Sequence, residues 1–98
     1  MLRIKQTPEF AAWLSGVQDG MTRRRLATRL RKASLGNLGD VKPVGDGVFE
    51  MREFFGPGWR MYYVRRGQAL ILMLGGGDKS TQKSDIRKAI ALASTLED

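Results

Sequence analysis

The sequence predicts a single α+β domain with elements in the order βααββββα, and three observations predict it. In the amino-terminal part, apolar residues recur at helical spacing after one short alternating run. From Val41 the period shortens to two, and Gly-containing turn sequences separate the runs. The last segment returns to helical spacing. A chain of 98 residues has the length of one domain, 1–98, since chains divide at roughly 100–200 residues per domain.

Residues 2–6 alternate apolar and polar, as a half-buried strand does. Thr7, Pro8 and Glu9 then open a helix: Thr can cap it, Pro suits its first position, and an acid favours its positive end. Phe10, Trp13, Leu14 and Val17 follow along one stripe. Gly16 and Gly20 interrupt the pattern, and a second helix spans 21–35, with Leu26, Leu30 and Ala33 aligned and Gly36-Asn37 as its stop. It carries Arg23, Arg24, Arg25, Arg29, Arg31 and Lys32 with no acid among them, so its self-repulsion requires an explanation outside the helix.

Residues 41–44, 48–54, 59–66 and 69–74 read as strands divided by GDG, GPG and RG turns, and Pro43 makes the first an edge strand. Trp59, Met61 and Tyr63 share one face of their strand, with Arg60, Tyr62 and Val64 on the other. In the preceding strand Phe49, Met51 and Glu53 oppose Val48, Glu50, Arg52 and Phe54, and this second face repeats charge where a core face would not. Ile86, Ala89, Ile90, Ala93 and Leu96 form the stripe of a final helix, with Ser80 or Ser84 as its expected cap. Phe10, Trp13, Leu14, Leu26, Leu30, Met51, Met61, Ile71, Met73, Ile86 and Ile90 are the expected core.

With 17 Lys+Arg against 10 Asp+Glu, a net charge of +7 and a pI near 10.4, the chain should attract polyanions, nucleic acid first. MLRIKQTPEF lacks the apolar region of a signal peptide, and the apolar run 69–74 is far below the ~20 residues that span a bilayer. A cytoplasmic protein with no membrane partner is expected. Without cysteine there is neither a disulfide nor a thiolate zinc site. Without histidine the commonest metal ligand and the commonest general base are both missing. No metal or cofactor is expected, and catalysis would have to use carboxylate, Lys, Arg or Tyr.

The stretch MLGGGDKSTQKSDIRKA, 73–89, raises the question of a phosphate loop. Aligned on Lys79-Ser80, the G-x-x-x-x-G-K-[ST] pattern puts its two glycines on Met73 and Asp78, so it fails twice. What survives is a glycine-rich strand end that brings Lys79 and the following N–H groups to a helix start, where anions are favoured. If the strands between 48 and 74 are sequential neighbours, Arg52, Arg60 and Tyr62 share a face, and Lys79 lies beside them. Three cations around one concave site suit a phosphodiester. A solvated sheet face, with Glu50 and Arg52 paired to neighbours, accounts for the same spacing.

GVFEMREFFGPGWRMYYV, 47–64, followed by LMLGGGDKSTQKSDIRKAIALA, 72–93, resembles the RelE/ParE toxin superfamily, specifically the HigB-like addiction module killer branch of type II toxin–antitoxin systems. The likeness covers nearly the whole chain, beginning at Thr7-Pro8-Glu9-Phe10 and Trp13-Leu14. It implies a RelE-like α+β fold and a ribosome-associated, metal-independent endoribonuclease that cleaves mRNA and inhibits translation. It implies as partners the ribosome, mRNA and a cognate antitoxin, expected to be a small helix-turn-helix protein. Position by position, Arg52 matches the arginine of the family's E-L-R strand, Arg60 the arginine after its G-x-G aromatic turn, and Lys79 the basic residue at the last strand's exit. Two departures leave other readings open: Glu53 stands where an aliphatic residue is usual, and a strand that is lysine-rich in some nuclease relatives is acidic here at Glu50. A ParE-like toxin acting on a protein such as DNA gyrase, and a non-catalytic nucleic-acid-binding module, are the alternatives.

In the implied reaction a base removes the 2′-OH proton, the oxygen attacks the adjacent phosphate in line, and the 5′ oxygen leaves with a proton. Glu50 is the candidate base, its geometry supported by Arg52, with Asp78 in reserve; Arg60 and Lys79 would stabilise the developing charge. The expected catalytic set is therefore Glu50, Arg52, Arg60 and Lys79. Arg23, Arg24, Tyr62, Gln82 and Lys83 are expected to bind RNA.

Overall fold

Thr7 ends the first strand and starts the first helix with one side chain. Its Oγ1 accepts from the Phe10 N–H at 3.2 Å and donates to the Met73 carbonyl at 2.8 Å, tying the helix start to the sheet. The computed structural model of the chain describes residues 1–96. Its elements are β1 (Arg3–Gln6), α1 (Pro8–Gly16), α2 (Gly20–Ser34), β2 (Val41–Gly45), β3 (Val48–Arg52), β4 (Trp59–Arg66), β5 (Leu70–Asp78) and α3 (Gln82–Thr95), with a 3-10 turn at Lys79–Thr81. The order is the βααββββα of the sequence, and the domain is α+β.

The strands form one five-stranded sheet in the order β1-β5-β4-β3-β2. β2 to β5 are antiparallel neighbours, and β2, interrupted in register between Pro43 and Gly45, is an edge strand as its proline requires. β1 pairs parallel with β5, Ile4 opposite Ile71. Parallel pairing of these distant segments leaves α1, α2 and the hairpins to make the crossover.

Asp19 caps α2, accepting from the Thr22 hydroxyl at 2.7 Å and the Thr22 N–H at 3.1 Å. The same two bonds, the hydroxyl first, hold its carboxyl below the usual range. The helix therefore begins at Gly20, and it ends before Gly36, whose φ of +98° suits glycine. Its crowd of cations has internal partners as well. Arg29 donates to the Leu38, Asp40 and Arg52 carbonyls and pairs with the Glu53 carboxylate. Arg23 donates to the carbonyls of Val17 and Gln18, and the Arg25 guanidinium lies 3.6 Å from the Phe55 ring centre.

Alternation on β3 and β4 divides the core between two faces. Phe10, Leu26, Leu30, Met51, Met61, Tyr63, Ile71 and Met73 pack between the sheet and the α1–α2 layer. Val48, Tyr62, Val64, Leu72 and Leu74 meet Ala89 and Ala93 of α3 on the other. Of the expected core, Trp13, Leu14, Ile86 and Ile90 are half-buried at its margins and the rest are buried. Among the described residues no helix is long and apolar enough to cross a membrane.

Two boundaries differ from expectation. β5 continues through all three glycines to Asp78, because β4 pairs with it along that length. The cap of α3 is Thr81, without a side-chain bond to the helix N–H groups, while Ser84 Oγ donates to the Thr81 carbonyl and Asp78 caps the preceding 3-10 turn.

Candidate functional site

Arg52 and Arg60 stand directly opposite each other on β3 and β4, on the face that α3 covers. Like charges in that relation repel unless each is answered. Asp40 answers Arg52 with two bonds, Nε at 3.3 Å and Nη2 at 3.2 Å, in a partly exposed fork. Arg60 is only 4% exposed: Nη1 donates to the Trp59 and Glu53 carbonyls at 3.0 and 3.3 Å, and Nε lies 3.8 Å from Glu50 Oε1.

Lys79 joins them from the end of β5. Gly58, with φ of +83°, is crossed by the Lys79 stem, and a side chain built there would lie 2.5 Å from Lys79 Cδ and 3.6 Å from Arg60 Nη1. Arg60 and Lys79 thus meet above one glycine, and Arg52 and Arg60 share a further neighbour. Both guanidinium groups lie over the Phe54 ring, 5.5 and 5.6 Å from its centre, and the ring is 68% exposed. The strands therefore bring Arg52, Arg60 and Lys79 together as expected from their alternation. Phe54 is expected on the strand face of Glu50 and Arg52, but β3 ends at Arg52 and Phe54 lies in the β3–β4 turn beyond it.

The other expected site residues are placed differently. Glu50 is 1% exposed beneath α3, and Gln82 Nε2 donates to both its oxygens, at 2.9 and 3.3 Å. A carboxylate sealed in this way cannot touch a 2′-OH in this conformation, so it positions Arg60 and does not serve as the base. Gln82 thereby commits its side-chain N–H to Glu50, while the residue itself is half-exposed and lines the groove that holds Lys79 and Lys83. Tyr62 is fully buried, which excludes RNA contact, and its hydroxyl has no hydrogen-bond partner among the described residues. Burial first, then the nearby Glu50 and Asp85 charges, drives its pKa far above the ordinary phenol value. Asp78 accepts from the Ser80 hydroxyl and N–H, bonds that lower its pKa and make it a weak base. Lys83 is exposed, in an open groove of about 470 Å³ with Lys79 and Arg87. Arg24 is also exposed but belongs to a separate groove of about 380 Å³ along α2, with Arg25 and Lys32. Arg23 is occupied by the end of α1.

The glycine triplet does not cradle a phosphate. Gly76 lies against the Trp13 indole and Gly77 against the Asp85 carboxylate, so both admit neighbours that a Cβ would strike. Asp85, accepting from Thr81 Oγ1 at 2.6 Å, also places a negative charge in the first turn of α3, where an anionic ligand would be repelled. Among the described residues no group of three or more His, Cys, Asp or Glu side chains could hold a metal ion.

Over 95 aligned residues the chain is 40% identical to a protein of Haemophilus influenzae described as uncharacterized, an alignment spanning 97% of this chain and 96% of that protein. The chain belongs to that protein's family. No family model matches it. At this identity and coverage the whole domain, β1 to α3, is common ground between the two proteins.

Proposed function

We propose that the chain is the toxin of a type II toxin–antitoxin pair, acting in the cytoplasm as a metal-independent, ribosome-associated endoribonuclease that cleaves mRNA. Its partners on this reading are the ribosome and a small helix-turn-helix antitoxin. The observation that carries it is the meeting of Arg52, Arg60 and Lys79 around Gly58 and Phe54. The basic excess and the likeness of 47–64 and 72–93 to RelE/ParE toxins support it.

The 2′-OH proton then passes to water and the departing 5′ oxygen takes one from water, so the chain contributes mostly positioning and charge stabilisation. Arg52 is held in a fork that fits two phosphate oxygens as well as it fits Asp40. An exposed pair of this kind is worth only about 0–1 kcal/mol, so a phosphate displaces Asp40 at little cost. Lys79 adds charge from the rim, and Glu50 with Gln82 fixes Arg60 from below. The burial of Glu50 favours a second reading, a nucleic-acid-binding module that does not cut.

Cleavage of mRNA on purified ribosomes separates the two. Cleavage by the wild type, with loss of about 10²–10³-fold in rate for Lys79→Ala and Arg52→Ala at unchanged melting temperature, is the expected result. RNA binding with no cleavage would establish the second reading. Growth arrest through lost DNA supercoiling, with translation intact, would point instead to a gyrase poison.

A further inference from the structure

Phe54 and Phe55 are consecutive and have opposite fates. Phe55 packs against the core beneath Arg25, and its carbonyl accepts from the Gly58 N–H at 3.2 Å. The turn is closed again by the Glu53 N–H donating to the Trp59 carbonyl at 2.9 Å and by the Arg29–Glu53 ion pair. Phe54 is left outside this anchored turn at 68% exposure, with no core role. Hydrophobic burial therefore does not account for it. What surrounds it is cationic: Arg52 and Arg60 at its ring and Lys79 beside Arg60.

An exposed ring on a hydrogen-bonded turn, beside basic side chains, has the composition of a single-strand platform. Cations take the backbone and the aromatic face takes a base. A duplex would offer the backbone but keep its bases stacked inside. We propose that Phe54 stacks an unpaired base of single-stranded RNA while Arg52 and Lys79 hold the adjoining phosphate. The inference rests on the RNA-directed reading above and deepens it by naming Phe54 as the base-contacting residue. Because the turn is already fixed, little ordering entropy opposes the stack.

The test measures binding of the purified chain to three labelled probes: oligouridylate, the same strand annealed to oligoadenylate, and an abasic ribose-phosphate chain of equal length. The wild type should prefer oligouridylate to the abasic chain by about 5- to 150-fold, the range one base–aromatic stack supplies. It should also prefer the single strand to the duplex. Phe54→Ala should abolish the preference over the abasic chain while leaving abasic binding unchanged, and Phe54→Trp should retain it. Wild-type preference in Phe54→Ala overturns the proposal. So does equal weakening for both chains, which would make the ring a mere support for Arg52 and Arg60. Absence of any base preference in the wild type overturns it too. A preference that depends on Phe54, found without mRNA cleavage on ribosomes, leaves this inference standing while the nuclease reading fails.

Discussion

Tyr62 shows how a residue on the right face can be unable to touch a ligand. Its strand alternation puts it beside Arg60, but α3 closes over it and its hydroxyl has no partner among the described residues. Its raised pKa keeps the phenol neutral through the physiological range, so it brings no charge to the site. Leaving a buried donor unsatisfied costs about 1–3 kcal/mol, and Tyr62→Phe removes that donor with its ring intact. The variant is expected to melt at the same or a higher temperature and to bind RNA like the wild type. Destabilisation beyond 1 kcal/mol (about the worth of one hydrogen bond) in denaturant titration would show that the hydroxyl has a partner after all. Glu50 lies opposite Tyr62 and has the contrary situation, since both its oxygens are engaged by Gln82 and one faces Arg60. Removing either partner of such a pair strands a buried charge, which ties the integrity of the site to α3.

Within β5 the three glycines have three different tolerances, although they are adjacent. Nothing lies within 4 Å of a Cβ at Gly75, whereas one at Gly76 meets the rigid Trp13 ring and one at Gly77 meets Asp85. Gly75→Ala is expected to be neutral or slightly stabilising; Gly76→Ala and Gly77→Ala should each cost about 1–3 kcal/mol by thermal or denaturant melting, as overpacking does. Equal losses at all three would mean that the strand conformation, and not the neighbours, demands glycine. The triplet also marks where sequence reading runs out. The capped start of α1, the edge position of β2 and the shared face of Arg52 and Arg60 were legible because each follows from a local rule: a cap, a missing N–H, a period of two. The approach of Trp13 to Gly76, the parallel pairing of β1 with β5 and the sealing of Glu50 by Gln82 join residues far apart in the chain, and no local pattern encodes them. Phe54 was missed for a related reason, since exposure is decided by which phenylalanine the turn tucks inward.

Across the whole molecule, two grooves each gather part of the positive charge. Arg24, Arg25 and Lys32 line the groove on α2, while Lys79, Lys83 and Arg87 line the one at the start of α3 on the opposite side of the sheet. The β3–β4 turn joins them: Phe55 takes Arg25 from the α2 side, and Phe54 takes Arg52 and Arg60 from the α3 side. If RNA follows this path, the α2 cations add affinity by releasing counterions and contribute nothing to the chemistry. The double variant Arg24→Ala/Arg25→Ala should then lower the slope of log affinity against log salt by about 0.7 per lost phosphate contact, uniformly across RNA sequences. The rate of the bound complex should not change, because neither side chain belongs to the Arg52–Arg60–Lys79 group. Lys79→Ala should lower both the salt slope and the rate. A salt slope unaltered by the double variant would exclude the α2 groove from the RNA path and confine that path to the α3 face and the turn.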